Sequence, residues 1–303
     1  MSNLKSVVNL VGEHLPLQKK QMEKMLEILT EEEIERAERT LAFFTDKMKH
    51  SINEIADAYR WFIIAIMEEQ IEFIRTGKYA HSTFAEVENF YNDKKLMKNY
   101  MLSLATSLYL FPQHIKVLRF YKEFIISLAV RTERTRYLEI GPGHGHLFIT
   151  AMENSNFDSY TAVDISQTSV DMTTSYKNYC LPDKSNWQII NKNIFSYNSN
   201  DKFDIIVMGE VLEHVEKPMD FLRKVHELSQ DDAAVFVSTA INAPFFDHIY
   251  HFKTVEELEK MFLSCGFNII DKVYGTANNV DFDVAVKKKH AIVPAYILEK
   301  ARD

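Results

Sequence analysis

Apolar residues follow two different rhythms along this chain. Before residue 130 they recur every three or four positions. Ile34, Ala37, Leu41, Phe44 and Met48 mark one face of a helix. Thr30 followed by Glu31-Glu32-Glu33 reads as a capping box, with acidic side chains at the positive end of the helix dipole. A second helix is predicted from about Ser51 to Arg75, with Ile55, Tyr59, Phe62 and Ile66 as its apolar stripe and Gly77 as its stop. A third runs from about Lys94 to Leu110 and ends before Pro112; a fourth covers about Gln113 to Val130. Of the eight glycines, Gly12 and Gly77 alone precede residue 141, which also favours helices. Residues 1–130 therefore read as an all-α module of four or five helices.

From Arg136 short runs rich in β-branched residues alternate with amphipathic stretches. Predicted strands are Tyr137–Ile140, Tyr160–Val163, Trp187–Ile190, Asp204–Met208, Ala234–Ser238, Asn268–Tyr274 and Phe282–Val286. Predicted helices between them are His146–Glu153, Thr168–Tyr179, Met219–Leu228 and Thr254–Cys265. Such alternation implies an α/β domain over residues 131–303, a Rossmann-like, doubly wound, parallel sheet. Lys287-Lys288-Lys289 reads as a solvated strand end.

Composition narrows the partners. The 303 residues carry a net charge of -8, which leaves no electrostatic footprint for nucleic acid or for an anionic membrane surface. Met1 to Leu10 lack a secretory pattern, and no run of about 18 apolar residues could span a bilayer. Cys180 and Cys265 lack metal-site spacing. The expectation is a cytoplasmic protein with reduced thiols, no metal and a small-molecule substrate.

The chemistry concentrates in one loop. The first predicted strand runs into Gly141-Pro142-Gly143-His144-Gly145 and then a helix. Glycines let the backbone approach a ligand, and the helix start offers free N–H groups. A glycine pattern alone would suit many nucleotides. Glu139, however, precedes the loop at the strand end, badly placed for a pyrophosphate and well placed for an ammonium group. The spacing is E-x-G-x-G-x-G and not G-x-G-x-x-G. Asp164, at the end of the second strand, can accept both hydroxyls of a ribose.

These stretches resemble class I S-adenosylmethionine-dependent methyltransferases, in their small-molecule branch. The resemblance spans roughly residues 133–287 and rests on three segments. They are Leu138 to Gly145, Val163-Asp164-Ile165-Ser166, and Phe203-Asp204-Ile205-Ile206-Val207-Met208-Gly209-Glu210-Val211-Leu212-Glu213-His214-Val215. It implies that Glu139, Gly141, Gly143 and Gly145 hold the amino acid end of S-adenosylmethionine. It implies further that Asp164 binds the ribose, that Ile165 lies on the adenine, and that Glu210 and Val211 line the methyl-transfer end. The family often places an acidic residue after the third strand to meet the adenine amino group. Here Asn193, followed by Ile194, stands in that place, so an amide oxygen would do that work.

Methyl transfer from a sulfonium asks the protein to align two atoms, exclude water and, where needed, remove a proton. His214 follows the fourth strand at the sheet's carboxyl edge, where it could be a base or could pack the turn. Asn242, His248 and Tyr250 lie in the long loop after the fifth strand, as substrate contacts or as loop packing. His144 and His146 read as cofactor-shell or helix-start residues. In the helical module, Tyr91, Tyr109, Phe111 and His114 are candidates for a substrate lid. A plain bundle core and a homodimer interface remain alternatives there. Two other functions stay open: a nicotinamide-dependent oxidoreductase, and a non-catalytic protein retaining the fold.

Overall fold

Seven strands form one sheet: β1 Arg136–Ile140, β2 Ser159–Asp164, β3 Trp187–Asn191, β4 Phe203–Gly209, β5 Ser229–Ser238, β6 Phe267–Thr276 and β7 Ile292–Lys300. Their order is β3-β2-β1-β4-β5-β7-β6. Strands β1 to β5 pair in parallel, while β7 runs antiparallel between β5 and β6. This is a computed structural model, and it describes residues 2–130, 135–199 and 202–301. The expected boundary between residues 130 and 131 meets residues outside that set.

The strands alternate their side chains between two cores. Tyr137, Tyr160, Ile205, Val207 and Phe236 face one side. Leu138, Val163, Ile206, Val235 and Tyr296 face the other. Helices α8 His146–Asn154 and α9 Gln167–Cys180 cover the first face; α10 Pro218–Leu228 and α11 Val255–Ser264 cover the second. Burying both faces is what permits a mostly parallel sheet.

The helical segment holds seven α-helices among the described residues, more than the four or five expected. They are α1 Asn3–Gly12, α2 Pro16–Ile28, α3 Glu31–Ala42, α4 Ile52–Thr76, α5 Phe84–Asn92, α6 Lys94–Leu110 and α7 Pro112–Leu128. A π-helical turn, Phe43–Lys47, follows α3. Helices α1 and α5 are short, with 10 and 9 residues, so each carries little periodic signal and depends on packing. The Thr30 capping box is present: Glu33 N–H donates to Thr30 Oγ1 at 3.3 Å, and Thr30 N–H donates to Glu33 Oε2 at 2.8 Å. Gly77 ends α4 with φ at 71°, a left-handed conformation that other residues adopt only with strain. The helices share one continuous apolar core with the first face of the sheet, from Leu4 and Ile55 through Tyr121 to Phe236.

One strand expectation fails. Phe282–Val286 lies inside helix α12 Phe282–Lys288, not in a strand. Asp281 caps that helix, accepting from Asp283 N–H at 2.9 Å and from Val284 N–H at 3.3 Å. A cap at the first turn outweighs the β-branched residues. Lys287 and Lys288 therefore close a helix, and Lys289 turns left-handed behind it. The seventh strand is β7. Pro294 disguises it, since proline is rare inside sheets. It is tolerated because it lies one residue past the last β5 pair, Ser238 with Ala295.

Candidate active site

The carboxyl ends of β1, β2 and β4 open onto a cavity of about 1450 Å³, walled on its far side by α2, α4 and α6. Single small-molecule sites usually occupy roughly 300–1,000 Å³. This one has room for a cofactor and an acceptor together.

Strand β1 sends Glu139 to the face of the first core, where its carboxylate is 2% exposed. Tyr137 donates to Glu139 Oε2 at 2.5 Å, and the Tyr121 and Tyr137 hydroxyls meet at 2.8 Å. Burial pushes the Glu139 carboxyl up to about 8; the Tyr137 hydrogen bond opposes this, and nearby Asp164 adds to it. A buried carboxylate held by a neutral hydroxyl is a receptor for a cation, which fits the amino group of an amino acid.

The loop behind it is folded by its own backbone. Gly141 N–H donates to the Val163 carbonyl at 2.9 Å. Gly143 N–H lies 3.3 Å from Asp164 Oδ2, and Thr173 Oγ1 donates to the Gly143 carbonyl at 2.9 Å. Gly141 has φ at 70°, and a Cβ there would come within 2.9 Å of Val211 Cγ2. Gly145 has φ at 83° and caps α8 against Thr173; it does not line the cavity. Asp164 also accepts from Ser166 N–H at 2.8 Å, and burial pushes its carboxyl up to about 6.

Ile165, Asn193 and Ile194 line the cavity beside Asp164. Ile165 is 48% exposed, an apolar side chain left open on the cavity wall. Asn193 Oδ1 already accepts from Phe195 N–H at 2.9 Å, so its amide oxygen caps the turn Ile194–Ser196 and keeps one lone pair for another donor.

The end of β4 carries a cluster of ionisable groups. Glu210 sits at φ 54°, a strained value for a residue with a Cβ, and its N–H donates to the Ser238 carbonyl at 3.0 Å. Glu213 is fully buried and accepts from Thr239 Oγ1 at 2.6 Å. Burial raises both carboxyls, Glu213 to about 7 and Glu210 well above its ordinary value. The Nδ1 of His214 lies 2.9 Å from the Asp247 carbonyl, and that of His248 lies 2.7 Å from the Ala243 carbonyl. The two rings meet edge-on at 4.8 Å. Burial, with His214 beside it, lowers His248 to about 4, so this ring is neutral near pH 7.

From the helices, Tyr91 of α5 reaches the cluster, donating to Asp247 Oδ2 at 3.1 Å. Phe111 and His114 line the cavity and pack together at 5.2 Å. His144 lines it too; burial lowers its ring to about 3. His146 turns inward instead, meeting Thr40 Oγ1 at 2.9 Å.

Three expected substrate contacts lie elsewhere. Tyr109 is 1% exposed, its ring edge-on to His146 in the packing of α6 on α8. Asn242, at φ 50°, closes its own loop: it donates to the Lys253 carbonyl at 3.2 Å and pairs with His251 Nε2 at 2.9 Å. Tyr250 packs on Phe252 at 4.6 Å and belongs to the opposite core. Asn242 and Tyr250 are held by partners in their own loop and Tyr109 by a ring on another helix, none of which periodicity reveals. Conversely, Tyr137, Tyr121, Glu213 and Asp247 were not singled out from the sequence. Glu213 carried a faint signal, an acidic residue three after Glu210 and directly before His214.

The family model for a methyltransferase domain matches residues 113–272. No curated protein sequence matches the chain. Many solved structures share its fold, and two of them serve as examples. The mitomycin 7-O-methyltransferase MmcR has 12% identity and a TM-score of 0.55, over 82% of this chain and 70% of that one. The [4+2]-cyclase SpnF has 13% identity and a TM-score of 0.54, over 74% of this chain and 98% of that one. The dinucleotide sheet order 3-2-1-4-5-6 lacks the inserted antiparallel β7 seen here, which sets the oxidoreductase reading aside. The chain belongs to the methyltransferase-domain family and is a class I S-adenosylmethionine-dependent methyltransferase.

Proposed function

We propose that this enzyme methylates an oxygen or nitrogen atom of a largely apolar small molecule, in secondary metabolism. The observation that carries this reading is a single cavity lined by Glu139, Asp164, Glu210 and an apolar wall of helices. That wall includes Met25, Ile66, Met67, Ile71 and Ile74, and Ile71 and Ile74 are 65% and 75% exposed. Apolar side chains left open along a cavity suit an apolar occupant. Helices α4 to α6 then serve as a lid.

S-adenosylmethionine supplies the methyl group and a neutral thioether as leaving group. Glu139 binds its ammonium, Asp164 its ribose hydroxyls and Ile165 its adenine face. The glycine loop sets the carboxyl end, and Val211 packs behind it. The acceptor's lone pair forms the bond to carbon as the carbon–sulfur bond breaks. Its proton leaves toward His214 and His248, which Tyr91 and the backbone carbonyls of Asp247 and Ala243 hold in place. The lid excludes water.

Calorimetry with S-adenosylmethionine and with NADH tests this reading. Binding of the sulfonium, with none of NADH, is the expected result. The reverse would overturn it.

A further inference from the structure

We propose that Glu213, His214 and His248 form a binding site for one divalent first-row transition-metal ion. One ligand atom from each lies within 4.8 Å of the other two. The segments that bring them together are stitched by backbone bonds. Glu213 and His214 end the turn after β4, and His248 stands in the loop after β5. The N–H groups of Ile249 and Tyr250 both donate to the Glu213 carbonyl, each at 2.9 Å.

The hydrogen bonds leave lone pairs free. A carbonyl can only accept, so the Nδ1 atoms of His214 and His248, facing the Asp247 and Ala243 carbonyls, carry the protons. Each Nε2 is then an unprotonated donor. This is how metal-binding imidazoles are usually oriented, by a carbonyl on the opposite ring nitrogen. Glu213 Oε2 is taken by Thr239, while its Oε1 is buried with no hydrogen-bond partner. Asp247 Oδ1 is buried in the same condition, and both residues are 0% exposed. A fully buried carboxylate oxygen without a partner is costly. Among the described residues neither is paired with lysine or arginine; beside Asp247 stands the His214 ring, its Nδ1 3.5 Å from Asp247 Oδ2. A dication would supply the missing charge.

The donor set selects the metal. Two imidazoles and one carboxylate suit zinc, iron, cobalt or manganese better than magnesium or calcium. Bonds of about 2.0–2.2 Å would draw the three atoms inward by roughly 1 Å. All three residues line the cavity, so the remaining coordination positions face the acceptor space. An oxygen donor of the acceptor would fill one of them. That role rests on the methyl-transfer reading, whereas occupancy by metal does not. With both Nε2 lone pairs on the ion, the two histidines would serve as ligands and no longer as the proton acceptors of the ion-free reaction. The site departs from the expectation that no metal takes part.

The test uses the full-length protein, stripped with a chelator, then titrated with manganese and zinc ions by calorimetry and assayed for metal content. One equivalent per chain is expected, with at least tenfold weaker binding in Glu213→Gln and in His248→Ala. S-adenosylmethionine affinity, measured in parallel, reports that the variants are folded. Should a variant not fold, nitrogen couplings from two imidazoles in the wild-type manganese resonance spectrum provide the second measurement. Wild-type protein that binds S-adenosylmethionine but takes up neither ion would overturn the metal site. So would a His248→Ala protein with undiminished metal affinity. Metal uptake without S-adenosylmethionine binding would uphold the site and overturn the methyl-transfer reading instead.

Discussion

Tyr137 donates its hydroxyl to the Glu139 carboxylate at 2.5 Å, from two residues upstream on the same face of β1. The pair ties a cavity-lining carboxylate to the helices, since the Tyr137 hydroxyl in turn meets Tyr121 of α7. Removing the carboxylate removes a charge-assisted hydrogen bond, worth about 1.5–3 kcal/mol. Glu139→Gln should therefore weaken S-adenosylmethionine binding roughly 10- to 100-fold by calorimetry. Tyr137→Phe should weaken it less. It should also move the pH midpoint of binding upward, because the lost hydrogen bond is one that lowers the Glu139 carboxyl. A Tyr137→Phe protein with an unshifted midpoint would show that the tyrosine only fills space.

The same carboxyl makes stability depend on pH. Its folded value, about 8, lies above its ordinary 4.5, so the folded state holds the proton longer than the unfolded state. Stability contributed by this group is present below pH 4.5 and is lost as pH rises to about 8. Asp164, at about 6, acts in the same direction over a lower window. Above pH 6.5, where the buried histidines are neutral in both states, chemical denaturation of the ligand-free protein should show stability falling toward pH 8. The fall should be shallower in Glu139→Gln, and equal slopes in the two proteins would contradict it.

The apolar wall of α4 can be tested without touching the cofactor site. Ile71 is 65% exposed, so Ile71→Glu should fold normally. A charge there must be desolvated by any apolar occupant. The variant should bind a fluorescent long-chain alcohol at least fivefold more weakly while keeping its affinity for S-adenosylmethionine. Equal uptake of the probe would remove the apolar-acceptor reading.

The helix that replaced a predicted strand offers a check on the fold. Asp281→Ala removes the cap of α12 and should cost about 1 kcal/mol in denaturant unfolding. Asp281→Asn, which keeps an accepting oxygen, should recover most of it. No loss on Asp281→Ala would show that packing of Ala285 alone holds the segment.

Much was legible from local chemistry. The Thr30 cap, the Gly77 stop and the E-x-G-x-G-x-G loop are each written in a few adjacent residues, because each acts through backbone bonds across one turn. The central strands β1, β2, β4 and β5 are visible because both faces are buried there, which leaves continuous apolar runs; the edge strands β3 and β6 are half exposed and show through their β-branched residues. Helices α1, α2 and α5, of 10, 13 and 9 residues, were hidden because short helices borrow their stability from partners. Strand β7 was hidden by Pro294, which gives up its own N–H just past the last β5 pair while its carbonyl still accepts from Thr239 N–H.

By itself, then, the chain's pattern determined a helical segment, an α/β sheet and a glycine loop flanked by the carboxylates Glu139 and Asp164. Tertiary structure alone decided which distant residues meet at the β4 end of the cavity. Tyr91 reaches Asp247, and His248 meets Glu213 and His214, while Tyr109, Asn242 and Tyr250 turn away. The reason is physical. A loop or cap is held by bonds between neighbours in sequence, whereas these contacts span 34 to 156 residues and exist only once the sheet and helices have packed.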